Sequence, residues 1–310
     1  MIEDKIEKRL YLIGGKPQLV VFGDISEVFE MIEILHVPHD KIAPEPGAMQ
    51  IFILGGRLAE KAPVEIPKNA KIIFSNRYVL IRSDNNHRYG EWYGKAQTII
   101  DIRSRRAVIS IPGLEYFNRD FISRQIFRPV LDRLLFEYGY ISLHAAGVSK
   151  AKNGCVIAGI GGQGKSTLLS SLIDADMSFL ADDRVLIKHE NKSSPVIHSF
   201  PEYIRLPIDE SGPKNRVVPP ESKVHTAFPK VILLLDREGE GMKDSFEPIG
   251  SAEAAARLLQ FTPPFMEEHM YKKAANVVFD MCRESKNFLI KGWGDPHRRL
   301  QCVLQILKEM

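Results

Sequence analysis

Hydrophobic and polar positions change period several times along this chain. Gln18 to Phe22 is an apolar run that predicts a strand, closed by Gly23-Asp24. From Ser26, the residues Val28, Phe29, Ile32 and Leu35 recur at helical spacing until Pro38 and the loop Ala43-Pro-Glu-Pro-Gly47. Gln50 to Leu54 predicts a second strand. From about Lys71 the pattern turns to β, with Lys71–Phe74 and Tyr78–Arg82 flanking one turn, and Thr98–Ile102 and Val108–Ile111 flanking Arg103-Ser-Arg-Arg106. Helical spacing returns over Phe121 to Phe136, where Pro129 predicts a kink or a restart. Ile141 to Val148 predicts one strand carrying His144, and the turn Lys150 to Gly154 leads into the next. Phe179 to Ile187 predicts a strand with adjacent carboxylates, Asp182 and Asp183. Val196–Phe200, Val231–Leu235 and Asn287–Ile290 are further strands, and Ala252–Phe261 is a helix. Asp295-Pro296 caps a closing helix with Leu300, Val303, Leu304 and Leu307 on one face.

One segment changes this picture most. Gly154 to Ala158 is an apolar strand, and Gly159-Ile160-Gly161-Gly162-Gln163-Gly164-Lys165-Ser166-Thr167 follows it into the amphipathic run Leu168 to Ile173. Gly159 to Ser166 fits the P-loop pattern at every fixed position. Glycines there let backbone N–H groups converge on phosphate oxygens, and the following helix adds the positive end of its dipole. Lys165 is the candidate for the β- and γ-phosphates and Ser166 for Mg²⁺. The expected ligand is ATP with Mg²⁺.

Composition narrows the classes. The 310 residues have room for two domains, are 44% hydrophobic and 26% charged, and carry a formal net charge of +3, too small to argue for nucleic acid. Cys155, Cys282 and Cys302 share no metal-ligand or paired spacing, which favours a reduced, cytoplasmic setting. The charged N-terminus lacks a signal-peptide core, and no apolar run approaches the roughly 18 residues of a membrane span. A soluble protein is expected, with homo-oligomerisation left open. Arg103, Arg105 and Arg106 at a hairpin tip read as solvated rather than as a basic patch.

Phosphoryl transfer also needs a carboxylate for the metal and a group that prepares the nucleophile. Asp182-Asp183 is one candidate pair. Neighbours on a strand point to opposite faces, but at a strand's C-terminal end both approach one site; the alternative is a turn that caps Arg184. Asp236, after Val231-Ile-Leu-Leu-Leu235, has the form of a Walker B strand. Arg237 stands where a water-activating Glu would follow, so Asp236 reads better as a strand end.

His144 in Leu-His-Ala-Ala, the glycine loop 15 residues later and Ala181-Asp182-Asp183-Arg184-Val185 together resemble the kinase domain of HPr kinase/phosphorylase. That family has a His in the strand before the loop, a loop Gly-Asp-Ser-Gly-Val-Gly-Lys-Ser and Ala-Asp-Asp-Arg-Val after the helix, at matching spacing. The resemblance covers about residues 121–310. It implies an α/β fold: a phosphoenolpyruvate-carboxykinase-like P-loop kinase domain with a mixed sheet, preceded by a smaller α/β N-terminal domain over 1–120. By position it implies Asp183 as proton acceptor from a serine, His144, Lys165 and Arg205 as active-site partners, and Ser166, Asp182 and Glu202 as metal ligands. Lys214 and Arg216 are candidate charge neutralisers on a loop.

The departures direct the resemblance. Residue 160 is Ile where the bifunctional enzymes carry Asp, Glu202 is one residue further from Arg205 than in the family's Glu-Ile-Arg, and residues 1–120 match no regulatory domain. The chain is more similar to divergent HPr-kinase-related proteins, such as the peptide serine kinases of lasso-peptide clusters. Phosphoenolpyruvate carboxykinase shares a similar loop and Asp-Asp, but this chain is well short of it. The expectation is a Mg²⁺-dependent ATP:hydroxyl phosphotransferase acting on a serine of a peptide or protein, with the N-terminal domain recognising the acceptor. The alternatives are a small-molecule hydroxyl kinase on the same site and a non-catalytic ATP-sensing module.

Overall fold

Alternation becomes burial in the strand Met49–Gly55, where every second side chain is turned inward and those between are half-covered. The computed structural model describes residues 6–23, 43–61, 64–190, 194–200, 204–207, 214–217, 224–236, 245–263, 266–292 and 296–308. Contacts divide the chain into two units, Met1–Tyr138 with Pro264–Glu267, and Gly139–Pro263 with Glu268–Met310. The helical stretch after Asn118, which the sequence reading joins to the second domain, lies in the first unit.

The first unit holds a mixed eight-stranded sheet of β1 (Glu7–Ile13), β2 (Lys16–Gly23), β3 (Met49–Gly55), β4 (Lys71–Ser75), β5 (Val79–Ser83), β6 (His87–Trp92), β7 (Ala96–Asp101) and β8 (Arg106–Ile111), in the order β1-β2-β3-β8-β7-β6-β5-β4. β2, β3 and β8 run parallel to one another, and the remaining neighbours are antiparallel. β1 and β6 are additions to the expected strands. β1 opens on Glu7, Lys8 and Arg9, and β6 is mostly polar and aromatic, so neither advertises itself. Their pairing with β2, and with β5 and β7, supplies the order that local pattern lacks. The helix expected from Ser26 to Leu35 lies outside the described residues. A short helix α1 (Gly56–Lys61) follows β3.

At the β7–β8 turn the Asp101 carboxylate accepts from the backbone N–H groups of Arg103 (2.9 Å) and Ser104 (3.1 Å). Arg103 and Arg106 are exposed, and the Arg105 guanidinium lies 4.4 Å over the Tyr138 ring. Further on, Asn118 caps a helical turn at Arg119–Phe121, a π-helix spans Ile122–Phe127, and the helix α2 (Arg128–Glu137) carries Pro129 in its first turn. A proline ring clashes with the carbonyl one turn back in a regular helix, and the wider π turn is where that crowding is relieved.

The second unit is built on β9 (Ile141–Leu143), β10 (Ala145–Lys150), β11 (Asn153–Ala158), β12 (Ser178–Ala181), β13 (Val185–His189), β14 (Pro195–His198), β15 (Ile204–Pro207), β16 (Lys214–Val217), β17 (Thr226–Asp236), β18 (Ser245–Pro248) and β19 (Lys286–Lys291). Nine of them form one sheet, β12-β10-β11-β17-β14-β13-β9, with β19 pairing both β17 and β18; β15 and β16 form a separate hairpin. β17 forks this sheet. Its start, Thr226–Ala227, pairs with β14, and its end, Val231–Asp236, pairs with β19. Segments that pass from one branch to the other must interrupt their pairing, which corrects two expected strands. Ile141 to Val148 is two strands broken at His144, and Phe179 to Ile187 is two strands broken at Asp182-Asp183-Arg184.

Helix α3 (Lys165–Asp174) and the closing helix α6 (Pro296–Leu307) pack on this sheet, with Leu169, Leu172, Val303 and Leu307 against Ile157 and Leu233. Each such side chain, fully buried, contributes about 1.5–3 kcal/mol. Between them in sequence lie α4 (Ser251–Leu259) and α5 (Glu268–Arg283). α5 is missing from the expected elements, although Met270, Ala274, Val277, Val278 and Met281 recur at helical spacing and are buried. No described helix is long and apolar enough to cross a membrane.

Cys155 and Cys282 have no exposed surface, and burial pushes both thiols up, Cys282 to about 12, while Cys302 on α6 is partly exposed. A thiol reagent at pH 7.5 is therefore expected to label Cys302 in the native protein and to reach the other two only in denaturant. Peptide mass spectrometry reads the sites; rapid native labelling of Cys155 would contradict this packing.

Candidate functional site

The strand directions gather the chemistry. β10 is antiparallel to both β11 and β12, so those two run the same way, and β17 and β19 run parallel to β11. Ala145 lies opposite Ala158, and Gly147 opposite both Val156 and Ala181. His144, the loop after Ala158, Asp182-Asp183 and Asp236 therefore share one edge of the sheet.

The glycine loop is held by its own atoms. Gly162 and Gly164 take φ of +85° and +82°, a region closed to most side chains, and Gly164 is the N-cap residue of α3. The buried Lys165 ammonium donates to the carbonyls of Gly159 (2.6 Å) and Ile160 (3.2 Å). The Gln163 carboxamide oxygen accepts from the Ile160 N–H at 2.6 Å, and Gln163 N donates to the Ile160 carbonyl at 3.3 Å. A Cβ on Gly159 would meet Gln163 Oε1 at 2.4 Å and the Leu235 carbonyl at 3.1 Å, whereas Gly161 and Gly162 face open space. The loop is thus tight at its root and open at its tip. Ile160 is 67% exposed, Thr167 is exposed and Ser166 is half-buried.

Beside it stands the pair His144 and Asp183. The break between β9 and β10 frees the His144 backbone N–H to donate to Phe261 O at 2.8 Å. Its ring Nδ1 lies 2.9 Å from the Asp183 carboxylate and 3.1 Å from the Asp183 carbonyl. Both partners are acceptors, so Nδ1 carries the proton. Asp182 is buried at 2% exposure, while Asp183 is partly open. Arg184 is buried with its guanidinium 4.9 Å over the Phe200 ring. Asp236, at the end of β17, pairs with Arg257 at 3.2 Å.

Arg205 pairs in register with Arg216 across the β15–β16 hairpin, and Lys214 with Pro207, so Lys214 and Arg216 belong to a strand and not to a loop. β15 lies against α3. Glu202 is outside the described residues. Sequence reasoning passed over Arg299 of α6, whose Nη1 approaches within 3.8 Å of the Cβ position of Gly164 while Nη2 donates to Gly292 O at 3.0 Å. The reading of that helix followed its apolar face alone. Gln163 belongs to the loop by its spacing, but nothing in that spacing announces an internal bond.

Among the described residues, no group of three or more His, Cys, Asp or Glu gathers as a metal site. Mg²⁺ on a triphosphate takes only one or two protein oxygens beside phosphate and water, so a cluster of that size is not what such a site requires. A groove of about 860 Å³ lies at the opposite edge, lined by Lys150, Asn153, Met177, Leu304 and Lys308 among others, and contains none of these residues.

No protein-family model matches the chain, and no curated protein matches it. Among solved structures, the HPr(Ser) kinase/phosphatase from Coxiella burnetii is similar to it at 16% identity and a TM-score of 0.33, over 55% of this chain and 97% of that one. A likeness of that size carries nothing about activity.

Proposed function

We propose that this chain is a Mg²⁺-dependent ATP:hydroxyl phosphotransferase whose acceptor is a serine of a peptide or protein. The observation that carries the reading is the His144–Asp183 pair on the sheet edge that also bears the glycine loop and Lys165. In this reading the open amides of the loop tip cradle phosphate oxygens and Lys165 neutralises their charge, the main work in phosphoryl transfer. Asp183 accepts the proton of the attacking hydroxyl, and the His144 N–H holds its carboxylate in one orientation. Ser166 and Asp182 would hold Mg²⁺, which when bound neutralises phosphate charge, with Glu202 a further candidate and Arg205 assisting. The N-terminal domain, residues 1–120, is assigned to acceptor recognition.

Two outcomes test this. Incubated with Mg²⁺, γ-labelled ATP and a pool of serine-containing peptides and proteins, the wild-type protein is expected to label a serine. Asp183→Asn should lower transfer by about 10²–10⁴-fold while ATP affinity stays within about threefold. Full transfer by Asp183→Asn would move the base elsewhere; ATP binding with no labelled acceptor would favour the small-molecule kinase or the sensor. Separately, Gly159→Ala forces a Cβ against the Leu235 backbone. It should destabilise the protein by about 1–3 kcal/mol and abolish ATP binding, read by thermal melting and calorimetry. Normal ATP affinity in that variant would remove the loop from the site.

A further inference from the structure

The Ile160 peptide is gripped twice. Lys165 takes its carbonyl and that of Gly159, and the Gln163 side chain, only 4% exposed, takes its N–H. The two grips differ in fate once a triphosphate arrives. An ammonium exchanging carbonyl dipoles for phosphate oxygens moves to the stronger, charge-assisted partner. Lys165 then no longer ties Gly159 and Ile160, and the loop must keep its shape by other means. Gln163 is suited to this, because a neutral carboxamide has no comparable attraction to phosphate and its bond closes the turn Ile160–Gln163 from within, together with Gln163 N to Ile160 O. Gly159 completes the fit, since any Cβ there would strike Gln163 Oε1.

We infer that Gln163 is a positioning residue that holds the glycine loop in its phosphate-accepting shape after Lys165 has turned to the phosphates. The inference rests on the phosphotransfer reading above. Its side chain does not touch the phosphates in this account; it fixes the backbone whose amides do.

The test uses the full chain, Mg²⁺-ATP and inorganic tripolyphosphate, with binding measured by calorimetry across pH. Gln163→Leu keeps the bulk and removes the acceptor, leaving the Ile160 N–H unsatisfied. It should weaken both ligands about tenfold, the scale of one lost buried hydrogen bond. Gln163→Glu keeps an acceptor for that N–H but sets a carboxylate beneath an anion site. Relative to wild type it should bind tripolyphosphate at least about tenfold more weakly at pH 8, with the ratio narrowing to about threefold near pH 5 as the carboxyl becomes a neutral isostere of the amide. A role in packing alone would not give that pH signature, and should Gln163→Leu fail to fold by thermal melting, Gln163→Glu still decides. Gln163→Leu binding within about twofold of wild type, or a Gln163→Glu ratio flat in pH, overturns the inference. Wild-type protein that binds neither ligand would overturn the phosphotransfer reading itself, a result distinct from either.

Discussion

The antiparallel seating of β10 between β11 and β12 is the constraint on which the site depends. Because β10 runs against both neighbours, β11 and β12 end on the same edge, and the chain entering β10 starts there too. Three segments separated in sequence are thereby brought to one end of the sheet: His144 before β10, the glycine loop after β11 and Asp182-Asp183 after β12. The fork at β17 adds a second condition. Strands that serve both branches must break where they cross, and the breaks fall on His144 and on Asp182 to Arg184. A residue at such a break is released from ladder geometry, which is how one histidine donates its backbone N–H to Phe261 and its ring N–H to Asp183.

Backbone accounting explains the glycine loop in the same terms. Buried N–H and C=O groups require partners. At the root of the loop those partners are internal, from Gln163 and Lys165, so this part is ordered by its own chemistry. At the tip, Gly161 and Gly162 stand in open space where an incoming anion can reach the backbone. The glycines accordingly answer two different needs: Gly159 lacks a Cβ because Leu235 and Gln163 crowd it, and Gly162 and Gly164 lack one because of their positive φ.

Much of this was legible in the chain. The strand, glycine loop and helix over Gly154 to Ile173 follow from pattern alone, and the spacing from His144 to the loop and on to Asp183 marked three segments that the sheet then gathers. What was not legible was set by partners distant in sequence. β1 begins with three charged residues and β6 is polar, so only their neighbours make them strands. The breaks at His144 and Asp182 come from a fork in β17 that no local window contains. α5 is a different matter, since its helical spacing is present in Met270 to Met281. Gln163 and Arg299 were hidden because their importance lies in which backbone atoms they reach.

Charge balance ties the remaining assignments together. In the phosphotransfer reading a triphosphate brought to this end of the sheet adds negative charge beside the partly open Asp183, and like charges oppose binding unless cations offset them. Lys165 supplies one positive charge, the His144 ring stands beside Asp183, and Asp236 pairs with Arg257. In that reading a divalent cation, held by Ser166 and Asp182, would neutralise phosphate charge, and the Arg299 guanidinium beside Gly164 would add a further positive charge. The metal role given to Ser166 and Asp182 and the base role given to Asp183 are thus one hypothesis: without the cation the same carboxylates would repel the nucleotide that Asp183 is meant to serve.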